Sequence, residues 1–179
     1  MKTWIQKPQA LRKLPPSNLQ SFGKLSQCFY TYIKFILYFC TKFKSPVVGD
    51  WQGFSFELLC LLHLRQIKQA LGISGMATEA SAWRIADNKK KQQDGAQIDL
   101  IITRADRIIN LCEMKFSTLP YHLTSKEETA LRERAAIFQK ATKTTYSLAH
   151  TYVTTFGVAN PEAHSILQSQ VQMDDLFGN

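Results

Sequence analysis

Two apolar runs separated by three residues constrain this chain more than any other feature. Ala96–Thr103 reads AQIDLIIT and Arg107–Phe116 reads RIINLCEMKF, with Arg104-Ala105-Asp106 between them. Runs of this length joined by so short a polar link are expected to pair as the strands of a β-hairpin. Each run holds an acid among its apolar side chains, Asp99 in the first and Glu113 in the second, and Lys115 follows Glu113 by two residues. Side chains alternate faces along a strand, so Gln97, Asp99 and Ile101 are expected to share one face, as are Leu111, Glu113 and Lys115. Closing the hairpin brings Asp99 opposite residue 112 or 113, depending on the loop.

A register that faces Asp99 with Glu113 sets two carboxylates side by side, and bare carboxylates that close repel each other. A hard divalent cation relieves that repulsion; Mg²⁺ binds through one or two carboxylates and keeps several waters. The Lys115 ammonium then suits a role in orienting or deprotonating a metal-bound water, or in offsetting charge that develops on a phosphate. Together the three side chains suit metal-assisted phosphodiester hydrolysis. A lone Glu-x-Lys would read as a surface ion pair, but acids embedded in IDLII and NLCEM are poorly explained as idle surface charges.

The elements around the hairpin point to an α/β or α+β chain. Phe54, Leu58, Leu61, Leu62, Ile67 and Leu71 recur at helical steps and predict one helix from Gly53 with a buried face, stopped at Gly72. Met76–Ile85 is expected to form a strand, and Asp87–Asp94 (DNKKKQQD) a polar loop. Ser125, with Glu128 three residues on, predicts a capped helix to about Lys140. Thr144–Gly157 is rich in Thr, Tyr and Val and predicts a further strand. A last helix is expected from Pro161, and Val171–Phe177 closes the chain.

The length of 179 residues fits one ordinary domain plus an appendage, and 45% apolar with 20% charged residues allows a buried core. The net charge of +8 is uneven: residues 1–50 hold eight Lys/Arg and one acid, while residues 51–179 hold fourteen and thirteen. Basicity therefore belongs to the N-terminal segment, where it favours nucleic acid or anionic lipid. Cysteines 28, 40, 60 and 112 show no zinc-like or redox spacing. Without a disulfide framework or signal-peptide pattern, a cytoplasmic protein is expected, with Cys60 and Cys112 as buried free thiols. Cys28–Phe43 (CFYTYIKFILYFCTKF) carries Lys34 and Lys42 and is shorter than the roughly 20 residues a bilayer span needs, so a packed or partner-facing helix is expected and no membrane.

Residues 95–116, GAQIDLIITRADRIINLCEMKF, resemble the D-Xn-(D/E)-X-K signature of the PD-(D/E)XK nuclease-like superfamily. More narrowly, residues 51–179 resemble the C-terminal nuclease-like domain of a group of prokaryotic AAA-type ATPases, through GFSFELLC (53–60), GAQIDL, CEMK, VTTFG (153–157) and MDDLF (173–177). The resemblance implies a restriction-endonuclease-like core: a helix, a mixed sheet of about four strands and flanking helices, with an N-terminal helical appendage. It implies Asp99 and Glu113 as Mg²⁺ or Mn²⁺ ligands, Lys115 as the catalytic lysine, Glu57 as a further acid aimed at the metal, and Gln97 as a polar neighbour. It also implies DNA as substrate. The P-loop of those ATPases has no counterpart here, since Asn18 and Leu25 stand where a glycine and a Ser/Thr are required around Gly23-Lys24. Residues 3–43, with FYTYIKFI at 29–36, resemble a remnant of the winged-helix region, so the chain reads as a truncated relative that performs no ATP hydrolysis.

Other chemistry-bearing residues fit plainer roles. His63, His122, His150 and His164 lack zinc spacing, and Cys112 is expected on the face opposite Glu113. Lys89-Lys90-Lys91 suits either a solvated loop or a phosphate contact. The rival to catalysis is an interaction or regulatory module that docks on an ATPase, or on a second copy, through residues 28–43. A weaker alternative is nucleic-acid binding by residues 1–50 without cleavage.

Overall fold

The computed structural model describes residues 46–86 and 95–177. The expectations placed on residues 1–45 and on Lys89-Lys90-Lys91 lie outside them. Among the described residues the chain is an α/β fold, a five-stranded mixed sheet with three helices. In order these are α1 (Pro46–Leu62), α2 (Leu64–Ala70), β1 (Thr78–Ile85), β2 (Ala96–Arg104), β3 (Ile108–Lys115), α3 (Ser125–Thr142), β4 (Ser147–Thr154) and β5 (Leu167–Gln172). The strands stand in sequence order across the sheet; β1, β2 and β3 pair antiparallel, whereas β3, β4 and β5 pair parallel. Helix α3 is the crossover that a parallel β3–β4 pair requires.

The expected hairpin forms, closed by Ala105-Asp106-Arg107. Arg107 adopts φ 64° and its amide donates to the Arg104 carbonyl at 3.2 Å. A three-residue loop ending in a left-handed residue is a common hairpin closure. In the resulting register Leu100 pairs with Cys112 and Ile102 with Asn110.

Each face of the sheet has its own core. Leu100, Ile102, Cys112, Met114, Val153 and Val171 pack against Phe56, Leu59, Cys60 and Ile67 of α1 and α2. Ile98, Ile101, Ile109 and Leu111 pack on the other side with Trp83 and Phe138 of α3. Cys112 therefore lies on the face opposite Leu111, buried, and its thiol is pushed up to about 12 by burial, which makes it a poor nucleophile.

Four expectations need correction. The first helix is two: it begins at Pro46, passes through Gly49 and Gly53, and breaks at His63, whose Nδ1 sits 2.9 Å from the Leu59 carbonyl and whose ring rests on Phe177 at 4.8 Å. Its buried face is Phe56, Leu59 and Cys60, while Phe54 (72%), Leu58 (48%) and Leu62 (37%) are exposed. The helix is apolar nearly all round, so spacing alone does not choose the face. The cap of α3 is Thr124 with Glu127, one residue earlier than Ser125 with Glu128. Pro161 begins only a three-residue 3₁₀ turn, and Leu167–Gln172 adds a fifth strand to the expected four.

The stop at Gly72 holds. Gly72 has φ 70°, its amide donates to Gln69 O, and the Ile73 amide donates to Lys68 O, a Schellman closure. A side chain there meets no neighbour, so its cost is conformational. Gly72→Ala is expected to lower the unfolding free energy by about 1–2 kcal/mol, read as a reduced urea midpoint at unchanged slope.

Candidate active site

Glu113 and Lys115 sit at the carboxyl end of β3, beside the parallel strand β4, where Glu113 pairs with Tyr152 and Lys115 with Thr154. Crevices outside the carboxyl ends of parallel strands are where open α/β sheets place ligands. The Lys115 ammonium lies 2.8 Å from Glu113 Oε1. The other carboxylate oxygen, Oε2, accepts from Arg134 Nη1 at 2.6 Å. One half-buried carboxylate is thus held between two cations.

Asp99 approaches from β2. Pairing with β3 runs as far as Leu100–Cys112, and one further step in that register sets Asp99 opposite Glu113. On its other edge β2 carries a bulge: Ser81 pairs with Ile101 but Trp83 pairs with Ile98, so Asp99 and Leu100 occupy the space of one residue. That extra residue is why Ile98 and Ile101 both reach the α3 core while Leu100 joins the opposite one. The simple alternation expected of β2 is interrupted at the candidate ligand itself. Bulges of this kind re-aim a side chain. Gln97 Nε2 donates to Asp99 Oδ1 at 2.5 Å, so the expected polar neighbour is in direct contact.

Glu57 enters from α1, flanked by buried Phe56, Leu59 and Cys60, which draw it into partial burial. Its carboxyl is raised above the usual value of 4.5, first by burial, then by the charge of Asp99, with Lys115 opposing and Glu113 adding. All four sequence-derived acids and bases therefore share one electrostatic neighbourhood. Direct contacts join Glu113 to Lys115 and Asp99 to Gln97. Among the described residues, no three His, Cys, Asp or Glu side chains converge closely enough to cage a metal.

These residues still fit a hard divalent cation. All three acids offer oxygen donors, Mg²⁺ needs only one or two carboxylates, and the charges of Asp99 and Glu113 already press on Glu57. Asp99 and Glu113 would hold the ion, with the Glu57 carboxyl within reach of their charge.

The raised Glu57 value gives a testable sign. The folded state keeps this proton to a higher pH than the unfolded chain, so the stability contribution is full below pH 4.5 and is lost as pH rises through the folded value. Glu57→Gln is expected to raise the melting temperature of metal-free protein at pH 7 by about 2 °C, allowing for solvent screening, with the gain vanishing near pH 4 in thermal melts.

Arg134 was not anticipated from the sequence. It follows Leu131 by three residues and precedes Phe138 by four, and both are buried. A basic residue in register with the buried positions of a helix is the signal that marks it. The surrounding loop is also tied in: Tyr121 donates its hydroxyl to Glu127, and the Ser117 amide donates to Thr155 Oγ1 at 2.8 Å. Burial works against ionising Glu127, but bonds from Tyr121 and Thr124 and the charge of Lys115 hold it below the usual carboxylate range. His150 is buried, and burial first of all keeps its imidazole below the usual 6.5. His164 pairs with Glu128 at 2.6 Å, and His122 is exposed. None of the described helices is long and apolar enough to cross a membrane.

No protein-family model matches the chain, and no curated protein matches it. The chain is similar to a solved protein of unknown function, AF1548, with a TM-score of 0.43 and 15% identity over 66% of its residues, and it spans 64% of that protein's length.

Proposed function

We propose that this chain is a metal-dependent nuclease-like protein of the PD-(D/E)XK kind that acts on DNA phosphodiesters, with a restriction-endonuclease-like core. The observation that carries the reading is the grouping at the end of β3: Glu113 bound to Lys115 and Asp99 one register step across, with Glu57 feeling the charge of all three. The order of helix, three antiparallel strands, helix and parallel strand supports the proposed core. A bound Mg²⁺ or Mn²⁺ supplies Lewis acidity and an activated water. Asp99 and Glu113 would provide its negative ligands, with Glu57 adding negative charge nearby; Gln97 would fix the orientation of Asp99, and Lys115 would meet negative charge developing on the phosphate. Incubation of supercoiled plasmid and single-stranded DNA with Mg²⁺ is expected to give strand scission that EDTA stops. Absence of scission by folded protein in Mg²⁺ and in Mn²⁺ sinks the reading.

A second reading, a non-catalytic module that self-associates or docks on an ATPase, draws on one observation. Trp51, Phe54, Leu58 and Leu62 form an exposed apolar stripe along α1, with Phe54 72% accessible. Residues 28–43, proposed for the same docking, lie outside the described residues. Light scattering separates the readings: a strict monomer at high concentration argues against self-association.

A further inference from the structure

Glu113 is held by more positive charge than it needs. Lys115 takes one oxygen at 2.8 Å and Arg134 the other at 2.6 Å, so two cations share a single carboxylate. Half-exposed pairs of this sort contribute little stability, and one cation already neutralises the acid. Only Nη1 of Arg134 has a partner among the described residues, and the side chain is 31% exposed. Its remaining donors form a planar fork matched to phosphate oxygens. Arg134 also stands on a rigid support, one helical turn from buried Leu131 on one side and buried Phe138 on the other. A small cavity lined by Leu111, Glu113, Arg134 and His150 lies beside the pair.

We infer that Arg134 has two alternative partners: Glu113 when no divalent cation is present, and a phosphate oxygen of the DNA backbone when one is. The inference rests on the nuclease reading and assigns Arg134 as its phosphate-binding residue. A cation on Glu113 competes with the arginine for the same oxygen, and the freed guanidinium, partly exposed beside that oxygen, is then available to the anion the cation attracts. Arg134 thereby keeps the acid neutralised at rest and becomes a positive clamp on loading.

Two consequences are measured on the full chain. In calorimetry with Mg²⁺, Arg134→Gln removes a competitor and is expected to bind the ion about three- to tenfold tighter than the natural protein. In fluorescence anisotropy with a short duplex and Ca²⁺, a hard oxygen-seeking ion, the same variant is expected to bind DNA roughly tenfold more weakly, with a salt slope shallower by about one phosphate contact. The DNA effect is expected to shrink severalfold in EDTA, where Glu113 already occupies the arginine. Arg134→Lys keeps a cation but not the fork, and its intermediate DNA affinity guards against a fold defect in the glutamine variant. Unchanged Mg²⁺ affinity together with unchanged DNA affinity in folded Arg134→Gln overturns the inference and leaves Arg134 a structural brace. Asp99→Ala in the calorimeter separates the failures. If the natural protein binds Mg²⁺ through Asp99 while Arg134→Gln changes nothing, only the role of Arg134 falls. If the natural protein binds no Mg²⁺, the nuclease reading and the role fall together.

Discussion

Lys115→Ala is expected to slow metal-dependent DNA cleavage by roughly 10²–10³-fold, the usual cost of removing one group that meets transition-state charge. The melting temperature should move little, because the side chain is 40% exposed and Arg134 continues to hold Glu113. Metal affinity is expected to stay the same or rise, since one of the two cations competing for Glu113 has gone. This combination separates a chemical role from a structural one. A buried structural lysine would reduce rate and stability together. Lys115→Arg sharpens the result: it keeps the charge but replaces a compact ammonium with a planar fork, so activity within tenfold of the natural protein assigns Lys115 a purely electrostatic part. Single-turnover rates on a labelled duplex, with melts on the same preparations, measure both.

Phe138→Ala is expected to have the largest effect on stability. The ring is buried on the inner face of α3 and meets Trp83 edge-on, with centroids 5.2 Å apart at 86°. Removing a buried phenyl ring of this kind costs about 3–5 kcal/mol, a large part of the roughly 5–15 kcal/mol that holds a small domain folded. The consequence reaches the site, because Arg134 lies one turn away on the same helix. A loosened α3 leaves Glu113 with Lys115 alone. Chemical denaturation should show the lowered midpoint, and Phe138→Leu should recover much of the loss because it refills most of the space. Full-strength stability in Phe138→Ala would mean that α3 is held by something other than the Trp83 contact.

The hairpin was legible from sequence because its signals agree: two isoleucine-rich runs, a three-residue polar link, and acids spaced so that one register brings them opposite. The observed pairs, which end at Leu100–Cys112, keep that register. The bulge at Asp99 was not legible, since it depends on how β1 pairs across Ser81–Trp83 and no local sequence marks it. β5 was hidden for a different reason. Leu167–Gln172 reads LQSQVQ and buries Val171 fully, a pattern too polar to announce a strand, and its place comes from parallel pairing with β4. The cap of α3 was displaced by one residue because Thr124/Glu127 and Ser125/Glu128 both satisfy the same spacing. The observed cap, Thr124, is extended and its Glu127 also receives the Tyr121 hydroxyl. Of the candidate site, Asp99, Glu113 and Lys115 are nameable from residue types and spacing, and Glu57 and Gln97 only through the family resemblance. Arg134 required knowing which face of α3 turns inward.

The most direct test compares the natural protein and Asp99→Ala on supercoiled plasmid, side by side in Mg²⁺, in Mn²⁺ and in EDTA, with matched circular dichroism spectra. Metal-dependent nicking by the natural protein, and none above background by the variant, is the expected result. Equal cutting by both, or cutting that persists in EDTA, would contradict it.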